Sequence, residues 1–212
     1  MEPPATYLRT TEVLDWHDRE VLNLARTLAE RAGEPVEIAR RCFEWVRDEV
    51  RHSHDYQLNP TTCAASEVLR YRTGYCYAKC HLLVALLRAN GIPAGLCYQR
   101  LSRDENGPPF CLHGLAAVFL PELGWYRADP RGNRDGIDAQ FTPPVERLAF
   151  AARVPGEADL PGVYPAPLAV VVAALRIHPT WDLLWQNLPD LEPGGEASAG
   201  GEWPASSTPH RE

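Results

Sequence analysis

The apolar and polar positions of this chain fall into two regimes, helical spacing before Gly91 and short-period alternation after it. Val21, Leu22, Ala25, Leu28 and Ala29 recur at the interval of one helical face, with Asp15 placed to cap the start and Gly33 to end the run. Pro35 suits a first helical position, and Ile38, Cys42, Trp45 and Val46 make the apolar face of a second amphipathic helix. His52 to Thr62 is polar, with a turn at Asn59-Pro60 and with His52 and His54 expected in solvent; a short helix is expected over Ala64 to Arg70. From Cys76 to Asn90 the pattern changes. Charge is confined to Lys79 and Arg88, joined by His81, and the rest is apolar on nearly every side. That predicts a central helix sheathed by the protein, begun just after Gly74 and stopped at Asn90-Gly91.

Beyond Gly91, Ala94 to Ser102, Cys111 to Leu120 and Trp125 to Asp129 read as strands. The first two are separated by a polar loop from Arg103 to Pro109, the last two by Pro121-Glu122-Leu123-Gly124. Helices first and an antiparallel sheet after them make an α+β class, with the central buried helix packed on the sheet. A short helix is expected over Val145 to Phe150. Leu168 to Ile177 suits either a strand or a helix, and Thr180 would cap a last helix carrying Trp181, Leu184, Trp185 and Leu188. The expected organisation is a loosely attached segment 1–14, one domain over 15–188, and a disordered tail 189–212 whose Gly, Glu, Ser and Pro content cannot bury a core.

With 212 residues, 45% of them hydrophobic, the chain can enclose one core. Its net charge of -7 offers no cationic field for a nucleic-acid backbone, so nucleic acid is not an expected partner. No apolar run reaches the roughly 18 to 20 residues of a bilayer span, and the start lacks a basic stretch followed by an apolar one; a cytoplasmic protein without a membrane partner is expected. Six cysteines in a chain of this size without an export signal are expected as reduced thiols.

One of those thiols sits where chemistry favours it. Cys76 falls at the start of the central helix, where unpaired N–H groups and the positive end of the helix dipole stabilise a thiolate. A nucleophile also needs a base, and the base needs a group to orient it. His113 opens one strand and Asp129 ends the next, so the carboxylate could fix the imidazole's tautomer. Pairing across a four-residue loop would put residues 113 and 129 on opposite faces, so a three-residue loop or a bulge is required, and Gly124 suits either. Taken singly, Cys76 reads as a buried helix cysteine, His113 as a strand-end histidine and Asp129 as a turn former. Cys80, one turn on from Cys76, is expected in the core, while Tyr75, Tyr77 and Gln99 are candidates for a cleft lining.

Three blocks carry a resemblance: Gly74-Tyr75-Cys76 with the helix after it and Leu87 to Ala94; then His113; then Gly124-Trp125-Tyr126-Arg127-Ala128-Asp129-Pro130. Together, over roughly residues 40 to 135, the chain resembles the transglutaminase-like superfamily, relatives of the papain-type cysteine proteases. The resemblance implies a Cys76, His113, Asp129 triad acting on an amide or peptide carbonyl of a peptide or protein through a thioester, resolved by an amine or by water. No acidic calcium loop is evident in the sequence, so no metal is expected, and no cofactor either. Leu115 stands where the family often has an aromatic residue, and Arg131 where a threonine commonly follows the Asp-Pro pair. Two other functions fit the residues: an inactive peptide-binding module on the same fold, and a zinc module using Cys76, Cys80, Cys111 and His113.

Overall fold

A computed structural model describes residues 3, 5–104 and 106–193 of the chain. The helical regime folds as α1 (Arg19–Ala29), α2 (Pro35–Glu49), α3 (Ser53–Tyr56), α4 (Ala65–Tyr71) and α5 (Cys76–Ala89), with two-residue strands β1 (Arg51–His52) and β2 (Thr73–Gly74) between them. After it come β3 (Ala94–Ser102), β4 (Phe110–Leu120), β5 (Gly124–Ala128), β6 (Ala158–Asp159), α6 (Ala169–Ile177) and α7 (Trp181–Gln186). The main sheet is antiparallel with strand order β5-β4-β3-β6, so the class is α+β, as the chain's two regimes require.

α5 is the centre of the molecule: every residue from Cys76 to Arg88 is buried. Helices α1, α2 and α4 and the sheet enclose it. Its Lys79, His81 and Arg88 side chains turn to backbone carbonyls, with His81 Nε2 left without a hydrogen-bond partner among the described residues. Lys79 Nζ donates to the carbonyls of Val50 and Arg47 at the end of α2, His81 Nδ1 meets Cys63 O at 2.8 Å, and Arg88 reaches the carbonyls of Ala94, Arg9 and Pro165. Lys79 and Arg88 are therefore buried without a carboxylate partner among the described residues, because carbonyl oxygens replace the lost water.

The sheet is covered on both faces. Leu112, Ala116, Val118 and Leu120 of β4 join the core around α5, whereas Leu115 and Ala117 pack with Tyr7, Cys97 and Val163. This second cluster needs the N-terminal segment. Residues expected to hang loosely are instead held: Tyr7 donates to Val163 O at 2.8 Å, and Val13 and Leu14 lie in the main core. The first helix is capped by Asp18 rather than Asp15, whose carboxylate accepts from Ser66 N and ties this segment to α4.

The other end is tethered as well. Pro189 O accepts from Leu112 N at 2.8 Å, Asp190 pairs with Arg100 at 2.7 Å, and Leu191 packs on the core, so the domain continues past residue 188. The rest of the expected tail, 194–212, lies outside the described residues. Leu168 to Ile177 resolves as helix, and β6 adds a short edge strand that hydropathy does not signal. No helix covers Val145 to Phe150. Its backbone groups are taken up from outside, Gln140 N donating to Arg147 O and Ala149 N to Asp129, and these bonds replace helical ones.

Candidate active site

The site forms where α5 meets the end of β4. The β4–β5 connection is a three-residue loop, Leu120 pairing with Gly124 and Ala116 with Ala128; Gly124 takes φ +82° and Glu122 φ +68°. This is the parity the sequence demanded, and it sets His113 and Asp129 on one side of the sheet. His113 Nε2 donates to Asp129 Oδ2 at 2.8 Å. Asp129, fully buried, also accepts from Arg131 N at 3.1 Å and from Ala149 N at 3.1 Å. Three donors fix both carboxylate oxygens and hence the imidazole's tautomer.

β5 ends at Ala128, so further along β4 the backbone groups of Leu112 and Gly114 must find partners elsewhere. α5 supplies most of them. Gly114 N–H donates to Cys76 Sγ at 3.4 Å, Cys80 Sγ donates to Gly114 O at 3.3 Å, and Tyr77 Oη donates to Leu112 O. The thiol thus reaches His113 from the edge of the strand. Gly114 allows the approach, since a Cβ there would stand 3.0–3.2 Å from Tyr77 Cδ1, Cα and N. Phe150, in the segment that is not a helix, closes edge-on over the His113 ring at 5.0 Å.

A second imidazole reaches the thiol from the helical side. β1 and β2 run parallel with His52 beside Gly74, two residues before Cys76. His52, expected in solvent, is buried; its ring meets Tyr75 edge-on at 5.3 Å and its Nδ1 faces Asp55 Oδ1 at 3.6 Å. His54 is half-buried against Trp185, ring centroids 4.0 Å apart. Tyr75 Oη donates to Trp181 O at 2.6 Å, which ties the residue before Cys76 to α7.

The electrostatics separate Cys76 from the other thiols. Burial raises Cys42, Cys97 and Cys111 to about 12, Cys63 to about 11 and Cys80 well above its ordinary value. Burial acts on Cys76 in the same sense. There the charge and hydrogen bond of His113, and then those of His52, outweigh it and bring the thiol from 9.0 down to about 6. Burial lowers the His113 imidazole, but the charges of Asp129 and Cys76 carry it up to about 10. Both shifts run in the direction that favours a thiolate–imidazolium pair.

Cys76, His113 and Asp129 are therefore brought together, and Tyr75 and Tyr77 lie at the start of the same helix. Gln99 is the cross-strand neighbour of His113 and donates to Asp159 Oδ1 at 2.9 Å. The zinc set is not assembled: Cys80 is committed to Gly114 O, and among the described residues no cluster of three His, Cys, Asp or Glu is placed to hold a metal ion. Sequence reasoning missed His52, Asp55, Arg131 and Phe150. Only the two-residue parallel pairing of β1 with β2 and the path of the chain after β5 bring them in. No described helix is long and apolar enough to cross a membrane, and all six thiols are free.

Among solved structures, a protein from Cytophaga hutchinsonii provisionally described as a cysteine protease is 19% identical, with a TM-score of 0.47 over 59% of this chain and 40% of that one. The periplasmic domain of TgpA from Pseudomonas aeruginosa is 22% identical, with a TM-score of 0.45 over 61% of this chain and 48% of that one. The chain thus spans less than half the length of either. No curated protein matches it. Residues 22–130, which run from α1 through β5 and include Cys76, His113 and Asp129, match the family model of the transglutaminase-like superfamily, and the chain belongs to that superfamily.

Proposed function

We propose that the protein is a cysteine enzyme that forms an acyl-thioester on Cys76 from a carboxamide or peptide carbonyl of a peptide or protein, and passes the acyl group to an amine or to water. The observation that carries this reading is the contrast among the thiols: five are raised by burial, and Cys76 alone is lowered, beside an imidazole anchored on a buried carboxylate.

Each step follows from a placed group. The Cys76 thiolate attacks the carbonyl carbon, and the C=O electron pair moves onto oxygen. Cys76 N–H, at the first position of α5, is one of the helix's unpaired donors and is available to that oxyanion; loss of such a donor costs roughly 3 kcal/mol of barrier. His113 holds its Nε2–H on Asp129, which leaves Nδ1–H for the leaving nitrogen. As the C–N bond breaks, that proton goes to the departing amine and the thioester remains. Neutral His113 then takes a proton from the incoming amine or water as it attacks, and the thiolate leaves. Asp129 stays ionised throughout; burial alone raises it, and the His113 charge and hydrogen bonds hold it below the ordinary value.

Mass spectrometry of the protein quenched during incubation with a panel of peptide and carboxamide substrates tests this. The expected result is an acyl adduct on Cys76, with turnover lost in Cys76→Ala. Equal turnover by Cys76→Ala and the parent overturns covalent catalysis.

A further inference from the structure

The two imidazoles at Cys76 come from opposite halves of the domain, His113 from the sheet and His52 from the helical part. Each faces a carboxylate: Asp129 hydrogen-bonds His113, while Asp55 Oδ1 stands 3.6 Å from Nδ1 of His52 and of His54 alike. A single residue touches both acids. Arg131 N–H donates to Asp129 Oδ1 at 3.1 Å, while its guanidinium forms a two-pronged pair with Asp55, NH1 to Oδ2 at 2.7 Å and NH2 to Oδ1 at 3.0 Å. Arg131 is 6% exposed, and its guanidinium also lies 5.6 Å from the centre of the Phe150 ring that covers His113.

Resting on the reading of Cys76 as the nucleophile, we infer that Arg131 is a positioning residue that locks two imidazole–carboxylate pairs onto one thiol, so that His52 is a second hydrogen-bonding partner of the reacting sulfur. The planar guanidinium suits the task because it grips both Asp55 oxygens and so fixes the carboxylate's orientation. Asp55 Oδ1 then faces His52 Nδ1 at 3.6 Å, a buried nitrogen with no hydrogen-bond partner among the described residues, and the ring's Nε2 is left for Cys76. The other groups facing Asp55 are His54 at 3.6 Å and Arg134 at 3.6 Å. Arg134 has a side chain 55% exposed and so cannot replace a buried two-pronged grip.

The two functions of Arg131 are separable. Its bond to Asp129 is made by backbone and survives a change of side chain, so Arg131→Met should loosen only the His52 half. Without the guanidinium, Asp55 turns to its remaining imidazole neighbours, His52 is drawn off the sulfur, and the thiolate loses one of its two imidazole contacts.

The test is the pH dependence of Cys76 alkylation by iodoacetamide in the full chain, followed by peptide mass spectrometry, for the parent, Arg131→Met, Arg131→Lys, His52→Gln and the double variant Arg131→Met/His52→Gln. The expected result is an upward shift of the midpoint by about one pKa unit in Arg131→Met and in His52→Gln, seen as roughly tenfold slower labelling on the acid side. The double variant should shift no further than either single one, and Arg131→Lys should recover part of the difference. A lower melting temperature with an unmoved midpoint would mean that Arg131 is only a structural strut, and overturns the inference. His52→Gln leaves the Arg131–Asp55 pair in place, so an unmoved midpoint there does the same even if Arg131→Met fails to fold. A parent whose Cys76 titrates like an ordinary thiol defeats the nucleophile reading itself, a result distinct from either of these.

Discussion

Gly114 lies against the backbone of Tyr77, so closely that a Cβ at position 114 would stand 3.1 Å from Tyr77 Cα and 3.2 Å from its N. Helix α5 rests on the sheet at this point, and Cys76 precedes Tyr77. Gly114→Ala should therefore push the start of α5 off β4 and lengthen the Gly114 N–H to Cys76 Sγ contact, now 3.4 Å. The expected outcome is a loss of about 1–3 kcal/mol in denaturant unfolding, as for an overpacked core, with slower Cys76 alkylation at pH 7. Unchanged stability and labelling would show that the helix can shift without cost.

The thiolate–imidazolium pair gives turnover a pH window. Cys76 is lowered to about 6 and His113 raised to about 10, so the nucleophile forms as pH rises through about 6 and the leaving-group acid is lost as pH rises through about 10. Turnover should rise through the first value, hold a plateau, and fall through the second. A profile rising only near pH 9 would show an unassisted thiol.

Asp129→Asn keeps the shape of the side chain and removes the charge that holds the imidazolium. An amide can also present N–H to His113 Nε2, which favours the wrong tautomer. Turnover should fall by roughly 10⁴-fold, the scale seen where the orienting acid of such a triad is neutralised, and the Cys76 alkylation midpoint should rise. An unaltered alkylation profile would show that Asp129 does not act on the thiol through His113.

Iodoacetamide at pH 7 should label Cys76 well ahead of Cys42, Cys63, Cys80, Cys97 and Cys111, because burial raises all five of the others. Cys111, partly exposed, is the informative control: reach alone would favour it, whereas thiolate character favours Cys76. Quantifying each alkylated peptide over time decides between them.

Lys79, in α5, is the only lysine of the chain; its Nζ is buried against the end of α2, and burial lowers it from 10.5 to about 7. As a neutral amine it still has N–H groups for the carbonyls of Val50 and Arg47. Between about 7 and 10.5 the unfolded chain binds a proton that the folded one does not, so this residue makes stability rise with pH across that window. Lys79→Met should remove that slope and cost about 1–3 kcal/mol for carbonyls left without a donor, both read from urea unfolding at several pH values.

Much of the fold was legible because burial leaves a period in the sequence. The enclosed helix could be read from Cys76 to Asn90, since a run apolar on all sides is stable only inside the protein, and α2 from Pro35 and its apolar face. The shared side of His113 and Asp129 reduced to counting residues, because side-chain direction alternates along a strand and a three-residue loop keeps the parity. Segments stabilised by distant partners carried no such period. The N-terminal segment is held by Tyr7 on Val163, and residues 145–150 are fixed by Asp129 rather than by helical bonds.

By itself, then, the sequence determined the α+β arrangement and the buried helix, consequences of local spacing and burial, while its resemblance to the transglutaminase-like superfamily pointed to Cys76, His113 and Asp129. Tertiary structure alone decided that His52 and Asp55 stand on the other side of the sulfur, that Arg131 bridges the two acids, and that Gly114 seats the helix. Those contacts join residues as far as 76 positions apart, Asp55 and Arg131, through geometry that no local period encodes.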